Sequence, residues 1–235
     1  MSATKRNWPL GPIIIGLGGF CVLVTLGFWQ VQRLQWKNAI IAEAEQRLTV
    51  APEALPATLD PGRDDYKRVT VSGRFDHASE NYVLTSMPPN GPGFAIITVF
   101  ETIEGRRILV DRGFVPQMFR DPSTRTDTRE DGMIKLEGVL RWPSDKSSFT
   151  PDPNPSIREW YSREVPPLAE AMDTEEVMIV QGPTDGPGWP RGGAAQVNIR
   201  NQHLPYAIQW FAIAGVWALM SILWFRKVAR SDADA

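Results

Sequence analysis

The chain has 235 residues, a formal net charge of -2 and a single cysteine, Cys21. Its apolar and charged fractions suit a globular protein rather than a disordered one, and its evenly mixed charges exclude a basic stripe for nucleic acid. One cysteine excludes an intramolecular disulfide, so any folded domain must hold itself by packing.

Leu10 to Phe28 contains no charged residue, and a helix needs about 20 apolar residues to cross the hydrocarbon core. A signal peptide with Lys5 and Arg6 as its basic region is the competing reading, but the apolar run is too long and the small residues Ala42 and Ala44 lie well beyond it. The run is read as an uncleaved anchor. No Arg-rich, Ser-rich presequence precedes it, which points to a bacterial membrane rather than to mitochondrial import. From Trp29 to about Leu48 helical spacing continues, with Trp29, Arg33, Trp36 and Ile40 at steps of four, three and four. Ala51 to Pro61 is a Pro-rich connector that ends the helix.

Beyond it the pattern shortens to strands: Tyr66 to Phe75, Asn81 to Thr85, Phe94 to Ile103, Arg107 to Val115, Ile134 to Arg141 and Val177 to Gln181. Glu104 and Gly105 predict a tight hairpin, and Pro166 to Met172 a short helix with Glu170 on its solvent side. Arg112 and Gly113 are read as a turn with a surface ion pair. Asp121 to Asp131 and Thr184 to Ala195 are read as long surface loops.

A second uncharged run, Tyr206 to Phe225, is again long enough to span. Trp8, Trp29, Trp36 and Trp224 lie near the expected interfaces, where an amphipathic ring finds both lipid and water. Trp210, Trp217 and Trp224 recur every seven residues and form one stripe for packing or lipid contact. Ala214 with Ala218, and the glycines of the first run, permit close helix pairing.

The fold class expected is a membrane protein, two transmembrane α-helices flanking an extracytoplasmic, mainly antiparallel β domain, barrel or sandwich-like (α+β). The boundaries are a cytoplasmic tail 1–9, a first span 10–29 continuing as helix to about 48, a periplasmic β-rich domain 49–203, a second span 204–225 and a cytoplasmic tail 226–235. Simple counts of basic residues do not orient the spans. Long domains translocate largely regardless of charge, so both short tails are placed in the cytoplasm of a bacterial inner-membrane protein.

Four blocks carry a family resemblance: LGFWQVQRLQWK (Leu26 to Lys37), YKRVTVSGRF (Tyr66 to Phe75), ILVDRGFVP (Ile108 to Pro116) and NQHLPYAIQWFAIA (Asn201 to Ala214). Together, and in this order, they resemble the surfeit locus protein 1 family of cytochrome c oxidase assembly factors. Asp111 stands where the family pattern has an amide, Phe114 where Trp is common, and Arg163 and Glu164 where Arg-Asp is usual. The resemblance implies a chaperone of respiratory-chain biogenesis that handles haem a and associates with cytochrome c oxidase subunit I, with haem A synthase and the lipid bilayer as further partners and no nucleic acid.

The residues themselves offer His203 as the one histidine near a span; His77 lies in a polar turn. A neutral imidazole at a span's edge suits axial ligation of haem iron, whereas the plain alternative is a helix cap or a headgroup contact. Trp29, Tyr206 and Trp210 are the expected ring contacts. Arg33, Lys37 or Arg200 are the candidate partners of the haem propionates, against the plainer reading of Arg33 and Lys37 as snorkelling interface cations. His203, Tyr206 and Trp210 share a face if the helix starts by His203. No C-x-x-C-H is present for covalent haem attachment, and the outer domain offers no nucleophile elbow or phosphate-binding glycine loop, so no enzyme activity is expected. A scaffold that holds subunit I without haem is the competing function.

Overall fold

A computed structural model describes residues 10–128, 130–184, 188–193 and 195–231. The expected ends, with Lys5, Arg6 and Trp8, and parts of both expected loops lie outside these residues. The chain forms two compact units, one holding the chain up to Ala42 and from Asn198 onward, the other Glu43–Val197.

The first unit pairs the bulk of α1 (Leu10–Thr49) with the last helix, α4 (His203–Ser231). At 1.5 Å per residue, the 40-residue α1 reaches about 60 Å, roughly twice the hydrocarbon thickness. Both helices are long and apolar enough to cross a membrane. Ile14, Leu17 and Val22 on α1, and Ile208, Val216 and Leu219 on α4, are each more than half exposed. Water would penalise such a surface, and lipid would not. No proline or glycine interrupts α1 between Gly27 and its end, and Pro52 lies just beyond its last residue.

The second unit is a small barrel. After β1 (Glu53–Ala54) and the single turn α2 (Pro61–Asp64) come β2 (Arg68–Met87), β3 (Gly91–Thr102), β4 (Arg107–Pro116), β5 (Ile134–Arg141), β6 (Glu159–Trp160), α3 (Val165–Met172) and β7 (Met178–Gln181). The order β2-β3-β4-β7-β5 closes because β5 pairs with β2 again. All pairings around the ring are antiparallel except β4 with β7. Two membrane-capable helices flanking a mainly antiparallel domain is the class the sequence predicts, and the barrel form is the one adopted. Alternate residues such as Val69, Val71, Phe100, Ile108, Leu140 and Ile179 fill its interior. Outside, α3 lays Val165, Leu168 and Met172 against Ile97, Leu109 and Met178, with Glu170 exposed as its spacing predicts. Gly105 has φ +80 in the expected turn between β3 and β4.

Two strand irregularities separate the observed barrel from the expected one. The runs predicted as separate strands, Tyr66 to Phe75 and Asn81 to Thr85, are one strand, β2. Asp76 pairs with Val99 and Asn81 with Ile97, so residues 77–80 stand opposite Thr98 alone. On β4, Asp111 pairs with Ile97 and Phe114 with Ala95, which leaves Arg112 and Gly113 opposite Ile96. Gly113 has φ +103, and a Cβ there would lie 1.9 Å from the carbonyl oxygen of Arg191, so only glycine fits. The expected surface turn at Arg112 is therefore corrected. Arg112 is 4% exposed, because a bulge re-aims its side chain inward.

The two bulges meet around a buried carboxylate. Glu80 receives Arg125 through Nη2 to Oε2 at 2.6 Å and Nη1 to Oε1 at 3.1 Å. Arg112 Nη1 stands 3.9 Å from the same carboxylate, with its guanidinium over the Phe75 ring. Tyr82 donates its hydroxyl to Glu80 at 3.2 Å, and burial together with the neighbouring carboxylate pushes the phenol's pKa up. The expected loop over Asp121 to Asp131 thus buries Arg125 rather than lying wholly at the surface. Asp111, where the family pattern has an amide, accepts from Arg163 Nε at 3.0 Å and from Gly113 N at 2.9 Å. Neither β1 nor β6 is predicted from sequence, each being two residues long. On β6, Trp160 Nε1 donates to the buried Asn81 Oδ1 at 2.8 Å.

A second buried acid, Asp64, closes α2. It accepts from Arg63 Nη2 at 2.7 Å and from Asp60 N at 2.9 Å, and pairs with Lys67 Nζ at 2.9 Å. The Arg63 hydrogen bond, aided by Lys67 against the opposing effect of burial, holds this carboxyl far below the usual carboxylate range.

Two stability outcomes are expected. Glu80→Gln leaves two guanidinium groups beside a neutral amide and lowers stability by about 3–5 kcal/mol, the scale of a broken buried pair; an unchanged urea midpoint for the full chain in detergent would refute the assignment. Asp64→Asn costs about 1.5–3 kcal/mol, the scale of a hydrogen bond to a charged group. Because its folded pKa lies below its unfolded one, the Asp64 contribution is complete above about pH 4 and declines as the pH falls below that. Denaturation between pH 7 and pH 3 should accordingly show a steeper acid loss for the native chain than for Asp64→Asn.

Candidate functional site

The helical unit is joined along a strip of small residues. Ala207 and Ala214 of α4 are each 2% exposed. On α1, a Cβ added at Gly19 or Gly27 would fall 2.7 Å from the indole of Trp217 or the ring of Phe211. Trp217 Nε1 also donates to the carbonyl oxygen of Gly16 at 2.8 Å, and Phe28 meets Phe211 edge-on at 5.4 Å. Of the expected tryptophan stripe, Trp217 thus lies against α1 while remaining partly exposed, Trp224 lies against Phe225, and Trp210 is half-buried.

One turn from Gly27 and from Ala207, two polar side chains meet. His203 Nδ1 lies 2.8 Å from Gln30 Oε1. Gln30 is buried, and His203 is half-buried. Asn201 accepts from the backbone N–H of His203 at 3.4 Å and donates through Nδ2 to Asn38 Oδ1 at 2.8 Å. Two amide contacts therefore tie the start of α4 to α1 beside the imidazole. An amide in an apolar helix needs a partner, and here it finds one across the pair.

The other expected site residues lie along the same stretches of α1 and α4 and, for Arg200, just before α4. Because α4 begins at His203, Tyr206 and Trp210 fall on the same side at i+3 and i+7. Tyr206 is 50% exposed. On α1, Trp29 and Arg33 lie on a flank, since Trp29 is turned about 100° from Gln30. Trp29 is 53% exposed. Arg33 stacks its guanidinium on Trp36 at 3.9 Å, and Lys37 Nζ lies 5.7 Å from the same ring. Arg200 Nη2 donates to Gln202 Oε1 at 2.9 Å. Arg33, Lys37 and Arg200 have no carboxylate partner among the described residues. Neither does His203 Nε2 have a hydrogen-bond partner among them. No group of three or more His, Cys, Asp or Glu able to hold a metal ion occurs among the described residues.

The SURF1 family model matches residues 18–215, from the third turn of α1 past the first three turns of α4. The chain belongs to the SURF1 family. It is 36% identical to surfeit locus protein 1 of Rattus norvegicus over 222 residues, covering 87% of this chain and 72% of that one. To the Gallus gallus protein it is 35% identical over 239 residues, covering 92% and 74%, and to the Homo sapiens protein 34% over 223 residues, covering 87% and 73%. The SURF1 match includes both partners of the imidazole–amide contact and both small-residue contacts next to it.

Sequence reasoning singles out His203 and misses Gln30, Asn38 and Asn201. The available signal is that Gln30 is the first strongly polar side chain after the apolar run, and it falls on the strip marked by Gly19 and Gly27 rather than on the flank of Trp29, Arg33 and Trp36. If close approach sets this geometry, Gly27→Val overpacks the Phe211 contact. It should lower the stability of the purified chain by about 1–3 kcal/mol. Gly18→Val, at a position with nothing within 4 Å, serves as the control and should leave the thermal midpoint unchanged; equal effects of the two would contradict the packing account.

Proposed function

We propose that this SURF1 protein is a cytochrome c oxidase biogenesis factor that binds haem a at the mouth of its helix pair and assists insertion into oxidase subunit I. The observation that carries this reading is the His203 ring, tethered by one nitrogen to Gln30, with its other nitrogen unpartnered among the described residues. Imidazole is a natural axial ligand for haem iron. The donor chemistry fits the rest of the group too. Trp29, Tyr206 and Trp210 offer aromatic surface, and Arg33, Lys37 and Arg200 are cations without carboxylate partners among the described residues, suited to two propionates. A haem bound there supplies the redox centre to be delivered, while the protein binds, orients and releases it without chemistry of its own.

On this reading the protein resides in a bacterial inner membrane with both ends in the cytoplasm and the barrel in the periplasm, and oxidase subunit I is the recipient, with haem A synthase as the source. The test is a difference absorption spectrum of the full chain, purified from cells that make haem a. Native protein should carry or take up haem, His203→Ala should lose the bands, and Arg33→Gln with Lys37→Gln should retain less. Full absorption in His203→Ala would overturn the assignment. Loss of absorption with unimpaired oxidase assembly would favour a haem-independent scaffold for subunit I.

A further inference from the structure

We infer that Gln30 is a positioning residue that holds His203 as the Nδ1-protonated tautomer and so presents Nε2, with its lone pair, as the ligand atom. The inference rests on the haem-binding reading for its purpose, but not for its geometry. Nδ1 lies 2.8 Å from the carboxamide oxygen of Gln30. With the carboxamide turned so that its oxygen faces the ring, as here, that oxygen only accepts and the ring nitrogen donates. A neutral imidazole carries one N–H, and placing it on Nδ1 leaves Nε2 unprotonated.

Several features make Gln30 able to impose this choice. Its side chain is 8% exposed, so water competes poorly for its oxygen. Its place is set by the close contacts one turn away, at Gly27 with Phe211 and at the buried Ala207. The backbone of His203 is separately held by Asn201, which is itself bonded to Asn38 of α1. Ring and backbone are thus fixed by different residues of the opposite helix, directly and through Asn201. Histidines that bind metals commonly donate their second N–H to an oxygen acceptor, which orients the ring and raises its basicity. Here the acceptor is neutral, which gives a weaker push than a carboxylate and suits a ligand that must later let go.

The experiment has an arm without haem and an arm with it. In the full chain labelled with 15N-histidine and held in lipid nanodiscs without haem, the ring nitrogen shifts of His203 report the tautomer directly, with His203→Ala assigning the signals. Native protein and Gln30→Glu should show the proton on Nδ1, and Gln30→Leu should move it toward Nε2. In the loaded arm, Gln30→Leu should weaken haem affinity by about 10–100-fold, as loss of an orienting partner does. Gln30→Glu should lower the reduction potential of bound haem and raise the iron–histidine stretching frequency in resonance Raman spectra. A native His203 protonated on Nε2, or tautomer ratios identical in native and Gln30→Leu protein, would overturn the inference. Failure of native protein to bind haem would instead remove the proposed function, while the first arm still decides whether Gln30 sets the tautomer.

Discussion

The imidazole at the start of α4 finds its hydrogen-bond partner on a different helix. The 2.8 Å contact between His203 and Gln30 requires the two backbones to approach closely, and that approach depends on what lies one turn away. Gly27 precedes Gln30 by three residues and admits the Phe211 ring; Ala207 follows His203 by four and is itself buried. A larger side chain at either place would move the amide and the imidazole apart. Since apolar burial gives no net drive between helices in lipid, packing of small residues and hydrogen bonds must supply the association. Here the two sources lie next to each other and reinforce one another.

The barrel meets a different constraint. Without a disulfide it relies on its core, and five strands enclose a space that side chains such as Phe100, Ile108 and Leu140 fill. Each of these three side chains is fully buried. Among the barrel's buried charges, Glu80 and Arg112 sit where two strands break register and Arg125 reaches Glu80 from the segment after β4, so the bulges bring ionic groups inward while each finds a counter-charge.

Much of this architecture is legible in the sequence because it follows from periodicity. Apolar runs free of charge announce the two helices, and Val, Ile and Phe at alternate positions announce the longer strands. Two-residue strands such as Glu53–Ala54 and Glu159–Trp160 are too short to carry a period. The bulge at Arg112 is hidden for another reason. Glycine after a strand reads equally well as a turn, and only the approach of the Arg191 carbonyl distinguishes the two. At the site, His203 stands out chemically, since histidine is rare in this chain. Gln30 does not, because which residue of α1 faces α4 depends on a rotation of about 100° per residue that the aromatic spacing of Trp29, Arg33 and Trp36 conceals.

That same rotation bears on how the proposed site would release its cargo. The contact strip runs through Gly19, Gly27 and Gln30, so Trp29 and Arg33 are displaced to the flank, and Trp29 and Tyr206 are each about half exposed. A planar ligand held by the outer nitrogen of His203 would therefore meet an exposed side of the helix pair. An enclosed pocket would bury more of such a ligand and bind it more tightly, but transfer to another membrane protein then requires the pocket to open. An open flank would permit a recipient to approach a ligand held there before the imidazole released it. A neutral Gln30 acceptor would suit such a site, because a carboxylate in its place would strengthen the bond that release would have to break.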